Sequence, residues 1–106
     1  MVKLKMILIE KREENTMETR KLTVSGLVQR VGFRWSTMAL ANKMNIPGTV
    51  KNNSDGTVTI YLQSTPDKID RFIEKLPSAS GFAHIENIDQ ESVPNVEQMH
   101  DFHVLY

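Results

Sequence analysis

The 106-residue chain contains no cysteine, which excludes disulfides, thiolate chemistry and sulfur-ligated metal sites and fits a reducing compartment. Its 13 basic residues balance 13 acidic ones, so no broad electrostatic field attracts nucleic acid or an anionic membrane. The apolar run that ends at Ile9 is too short for a signal-peptide core or a membrane span. We therefore expect a cytoplasmic protein that binds neither nucleic acids nor membranes.

A chain of this length holds one modest hydrophobic core, so the functional site and the scaffold must share the same elements. Before the segments expected to form that core, apolar residues alternate with polar ones at Val2, Leu4 and Met6. This pattern is compatible with a short extra strand. The polar run from Glu10 to Asn15 is expected to be a mobile linker.

Apolar periodicity predicts five strands and two helices, in the order strand, helix, strand, strand, helix, strand, with a short final strand. Their expected ranges are 20–25, 34–44, 48–53, 57–63, 66–76, 83–91 and 102–106. Pro77 is expected to end the second helix. The three-residue spacing of Ile85 and Ile88 suggests a bulge in the fourth strand. This order predicts an α+β fold with both helices on one face of an antiparallel sheet.

The most informative stretch is the loop from Gly26 to Arg34, which leaves the first strand and enters the first helix. The first turn of a helix leaves backbone N–H groups without partners, and these donors favour an anion. Gly26 and Gly32 permit backbone angles that allow successive N–H groups to form a concave nest. Arg34 adds a planar fork that can bind two phosphate oxygens. The loop predicts an oxyanion cradle; an ordinary turn with a solvated arginine is the alternative.

A second motif, Gly48 to Val58, follows about fifteen residues further on. Together the patterns G-x-V-Q-x-V-G-F-R and G-x-V-x-N-x-x-D-G-x-V resemble the acylphosphatase family. The resemblance runs from about Lys21 to Tyr106, which implies an N-terminal extension at 1–18 and an acylphosphatase-like domain at 19–106. It also implies a ferredoxin-like βαββαβ sandwich with a short C-terminal fifth strand. Arg30 departs from the family pattern, because glycine is usual there.

An acyl phosphate has a carboxylate leaving group, and carboxylic acids ionise near pH ~4, so its departure needs no general acid at neutral pH. The resemblance implies hydrolysis of small acyl phosphates by a monomeric enzyme without metal or cofactor. Asn52 would position the attacking water, and Arg34 would bind the phosphoryl group. The implied phosphate cradle consists of the backbone of Gln29, Arg30, Val31, Gly32 and Phe33.

Two alternatives remain open at this stage. One is a ferredoxin-like phosphate- or RNA-binding module without catalytic activity, although only Tyr61 offers RNA an aromatic ring on the expected central strands. The side chain of Arg30 could also obstruct the cradle, or it could add a contact that tightens anion binding. The three histidines show no metal-ligand spacing, so surface roles are expected for them.

Overall fold

The computed structural model describes residues 16–106, which form five strands and two helices. The strands are β1 (Glu18–Leu27), β2 (Gly48–Asn52), β3 (Val58–Ser64), β4 (His84–Ser92) and β5 (Phe102–Leu105). The helices are α1 (Phe33–Lys43) and α2 (Pro66–Ala79). The expected extra strand at Val2 to Met6 and the expected linker at Glu10 to Asn15 lie outside the described residues.

The strands form one sheet in the order β4-β1-β3-β2-β5. Neighbouring strands are antiparallel except for β5, which runs parallel to β2 at one edge. The predicted βαββαβ ferredoxin-like order with a short fifth strand is therefore confirmed. The parallel last strand makes the sheet mixed rather than wholly antiparallel.

The core lies between the sheet and the helices because each element carries apolar residues on one face. In β1, period two places Leu22 and Val24 on the same buried face. In α2, Ile69, Phe72 and Leu76 recur at three- and four-residue spacing and are fully buried. This packing holds the ends of β1 and β2, and with them the predicted site, in fixed relative positions.

The prediction that Pro77 ends the second helix is wrong, since α2 continues to Ala79 with Pro77 inside its last turn. Proline lacks one N–H donor, and in the last turn that loss removes a single hydrogen bond, so the helix can still include the two residues after Pro77. The hydroxyl of Ser80 donates a hydrogen bond to the Pro77 carbonyl at 2.9 Å, which holds this last turn closed.

Gly26 has a different role from the expected one, because it lies within β1 rather than in the cradle. Ser25 pairs with Asn87 and Gly26 pairs with Ile85, so Glu86 of β4 has no partner in β1. This register shift confirms the predicted bulge in the fourth strand. A Cβ atom on Gly26 would lie 2.2 Å from the carbonyl oxygen of His84. The glycine therefore allows the close approach of two backbones at the bulge, and the cradle begins after Leu27.

Candidate active site

The loop between β1 and α1 has an alternating backbone conformation. Arg30 and Gly32 have positive φ angles of 63° and 77°, whereas Val31 between them does not. Within residues 16–106, the backbone N–H groups from Gln29 to Trp35 donate to no acceptor of the protein; the first such bond in this region is from Ser36 to the Gly32 carbonyl. Alternation of this kind turns successive N–H groups toward one side, which is the geometry of an anion-binding nest.

Arg34 extends from the first turn of α1 and is held from the far edge of the sheet. Its Nη1 donates to the backbone carbonyl of Leu105 at 3.1 Å, and its guanidinium carbon lies 4.7 Å from the centroid of the Tyr106 ring. One hydrogen bond leaves most of the five donors of the guanidinium available. The two contacts restrict the position and plane of the group without neutralising its charge.

Asn52 ends β2, next to the hairpin turn. Its Oδ1 is buried and has no hydrogen-bond partner among the described residues. The following residue, Asn53, faces the other side of the sheet, where its Nδ2 donates to the hydroxyls of Thr57 and Thr59 at 2.9 and 2.8 Å. A buried amide oxygen without a donor is costly, and such an atom is explained most directly by a bound water or ligand.

These groups line one small cleft of about 120 Å³. Of the predicted site residues it is lined by Arg30, Gly32, Phe33, Arg34 and Asn52. It does not include Gln29 or Val31, which were predicted to contribute through their backbone. Val31 instead packs against the core. Val28 and the exposed Trp35 complete the lining.

The side chain of Gln29 has a function that the sequence did not reveal. Its Nε2 donates to the carbonyl oxygens of Asn53 at 2.8 Å and Thr57 at 2.9 Å. These bonds tie the cradle loop to the hairpin that carries Asn52, so the two halves of the cleft cannot move apart independently. No local pattern signals a contact between residues 24 and 28 positions apart in the chain.

The hairpin turn is closed by Asp55, which is held by Thr57. The carboxylate accepts hydrogen bonds from the Thr57 backbone N–H at 3.0 Å and from its hydroxyl at 2.6 Å. These bonds favour the charged form and lower the pKa of Asp55 from its ordinary value. The carboxylate is thus held within its own turn through Oδ1.

A larger cleft, of about 700 Å³, lies at the opposite end of the sheet. It is lined by residues 17–19, 63, 92–96 and 98, which include Glu18 but no cationic side chain. Its lining offers no counter-charge for an anion, so its size does not make it a better candidate for a phosphate site.

Comparison with known proteins is specific. The acylphosphatase family model matches residues 20–104. This chain belongs to the acylphosphatase family. A protein named acylphosphatase from Lactobacillus johnsonii is 44% identical over 91 residues, which cover 85% of this chain and 100% of that protein. A second acylphosphatase, from Clostridium acetobutylicum, is 33% identical over 90 residues and is covered over 99% of its length.

Solved acylphosphatase structures have the same fold. The acylphosphatase from Bacillus subtilis superposes with a TM-score of 0.79 at 30% identity, covering 86% of this chain and 100% of that one. An acylphosphatase from Coxiella burnetii gives a TM-score of 0.77 at 34% identity, covering 88% of this chain and 96% of that one. Within residues 16–106, no helix is both long and apolar enough to cross a membrane.

Proposed function

We propose that this protein hydrolyses small acyl phosphates to a carboxylate and inorganic phosphate. The observation that carries the proposal is the small cleft in which unpartnered backbone donors, the Arg34 guanidinium and the orphan Oδ1 of Asn52 meet. Membership of the acylphosphatase family supports the same reaction.

Binding of the phosphoryl group is the first task of this cleft. Its oxygens would accept hydrogen bonds from the N–H groups between Gln29 and Phe33 and from the guanidinium of Arg34. Charge-assisted bonds of this kind are stronger than neutral ones, and donors fixed before the substrate arrives need no reorganisation. The contacts of Arg34 to Leu105 and Tyr106 provide that fixation.

Asn52 would hold the attacking water. Its Oδ1 can accept a hydrogen bond from a water molecule, which removes the cost of leaving this buried oxygen unpaired. In-line displacement at phosphorus requires mainly positioning of the water and neutralisation of charge. The leaving carboxylate departs without a proton donor, since its conjugate acid has a pKa near ~4.

The proposal also covers the cofactor requirement, the catalytic domain, the oligomeric state and the compartment of this protein. The reaction runs without a metal ion or cofactor, since the cleft supplies the positive charge from Arg34 and the backbone. We also propose that residues 19–106 form the acylphosphatase-like catalytic domain and that the protein acts as a monomer in the cytoplasm. The absence of cysteine fits a reducing compartment.

The decisive experiment is turnover of benzoyl phosphate by the purified protein in the presence of a chelator. We expect release of benzoate and phosphate that is inhibited competitively by inorganic phosphate. An unchanged substrate half-life with and without the protein would refute the proposed reaction, and loss of turnover only with the chelator would refute its independence of metal.

A further inference from the structure

Arg30 occupies a backbone conformation that favours glycine. Its φ of 63° lies in the left-handed region, where a residue with a Cβ atom is less stable than glycine. Arg30 is also exposed and lines the same cleft as Arg34 and Asn52. Strained backbone conformations cluster at functional sites, so the strain at Arg30 points to a functional contribution from its side chain.

The guanidinium of Arg30 has no counter-ion of its own. Among residues 16–106, no carboxylate lies within ion-pair distance of it. Asp55, the acidic residue of the second motif, is engaged by Thr57. The mouth of the cleft therefore carries the charge of Arg30 without an ion-pair partner among the described residues.

The cleft is large enough for only the phosphoryl part of an acyl phosphate. About 120 Å³ is well below the roughly 300–1,000 Å³ of pockets that bury most of a drug-sized ligand. The backbone donors and Arg34 hold the phosphoryl group inside, so the acyl group must extend over the rim. The rim is formed by the exposed residues of the lining, Arg30, Gly32 and Trp35, and only Arg30 and Trp35 carry side chains there.

We propose that Arg30 selects acyl phosphates whose acyl chain carries a second anionic group, such as a carboxylate or a phosphate. This inference rests on the proposed function, because it assigns the acyl half of the same substrate. In an alternating nest the backbone N–H groups turn to one side and form the anion site, and the exposed side chain of Arg30 lies at the mouth of the cleft. The Arg30 guanidinium is then available to the distal end of the substrate, while its backbone belongs to the cradle.

The test compares two substrates of nearly equal shape, 4-carboxybenzoyl phosphate and its neutral analogue 4-carbamoylbenzoyl phosphate. The readout is the ratio of their kcat/KM values, so any effect of a substitution on phosphate binding cancels. We expect Arg30→Gln to lower this ratio about three- to fivefold, the magnitude of an exposed ion pair. Arg30→Lys keeps the charge and should retain most of the ratio, and added salt should lower the ratio in the parent.

Arg71→Gln is the matched control, since it removes an exposed arginine on α2 and should leave the ratio unchanged. Glutamine and arginine have the same backbone restriction, and circular dichroism verifies that each variant is folded. An equal ratio in the parent and in Arg30→Gln would overturn the inference. A parallel fall for both substrates, with weaker inhibition by phosphate, would also overturn it and assign the side chain to the phosphoryl group.

The failure of this inference and that of the proposed function give different results. If the parent hydrolyses neither substrate, the proposed reaction is wrong and the inference falls with it. If the parent hydrolyses both and only the dependence on Arg30 is missing, the reaction stands and the selectivity does not.

Discussion

The two ends of the sheet carry clefts of opposite character. The cleft of about 700 Å³ contains Gln63, whose Nε2 donates to Thr19 Oγ1 at 2.9 Å and to the Glu97 carbonyl at 3.1 Å. Its Oε1 accepts from the Met99 backbone N–H at 2.6 Å. The cleft of about 120 Å³ contains Asn52, whose buried Oδ1 has no partner among residues 16–106.

This contrast teaches that unused hydrogen-bonding capacity, rather than volume, identifies the functional end. An amide with all its partners in place stabilises the fold, and replacing it leaves those partners unpaired. An amide without partners contributes little to the fold and remains available to a ligand. The following substitutions test this division, in decreasing order of the change that we expect.

Replacement of Arg34 should have the largest effect. Arg34→Gln removes the charged fork from the small cleft, and we expect kcat/KM for benzoyl phosphate to fall by roughly 10³. Arg34→Lys should not restore the rate, because a point charge does not reproduce planar two-point binding. Steady-state kinetics measures both, with Arg71→Gln as the control; near-parental activity in Arg34→Gln would contradict the assignment.

Asn52→Ala should remove the water-holding group while leaving the phosphate cradle in place. We expect kcat to fall on the order of 10², with inhibition by phosphate nearly unchanged. The free energy of unfolding should change by less than about 1 kcal/mol, because Oδ1 has no protein partner to lose. The exposed Asn87→Ala is the control. A large loss of stability in Asn52→Ala would assign this residue to the scaffold instead.

Gln63→Ala should show the reverse pattern at the other end of the sheet. It leaves the Met99 N–H and the Thr19 hydroxyl without their partner, so we expect about 2 kcal/mol lower stability. Urea unfolding measures this loss, and activity per folded molecule should be unchanged. Gln98→Ala, exposed on the same cleft, should stay within about 0.5 kcal/mol of the parent. A strong fall in kcat/KM for Gln63→Ala would contradict the assignment of Gln63 to a purely structural role.

The smallest effect is expected for the ring that lies against Arg34. Tyr106→Ala removes the cation–π contact, and an exposed contact of this kind corresponds to about two- to fivefold in kcat/KM. Tyr106→Phe retains the ring and should match the parent. A rate equal to the parent in Tyr106→Ala would mean that the Leu105 carbonyl alone orients Arg34.

Local signals in the sequence predicted most of the fold. The alternation of Leu22 and Val24 identified the buried face of β1, and Pro66 after Thr65 identified the start of α2. Asn45 follows α1 with a φ of 57°, a left-handed conformation that asparagine tolerates at a helix end. Each of these features depends on residues close together in the chain, which is why periodicity and caps reveal them.

The features that the sequence did not predict depend on distant contacts. The parallel direction of β5, the bonds of Gln29 to the β2–β3 hairpin and the contact of Arg34 with Leu105 have no local signature. Motif resemblance predicted which residues belong to the site, and the roles of Arg34 and Asn52 stay predictions until kinetics tests them. The contacts that hold those residues in place form only when the sheet brings distant segments together, so the structure is needed to identify them.

The bond from Arg34 to Leu105 joins residues 71 positions apart, so the site depends on one of the most non-local hydrogen bonds among residues 16–106. Closing so long a segment costs entropy that only a completed sheet repays. During refolding, we therefore expect turnover to recover no earlier than helical circular dichroism. Enzymatic activity then reports whether the edge strand has docked and fixed the arginine.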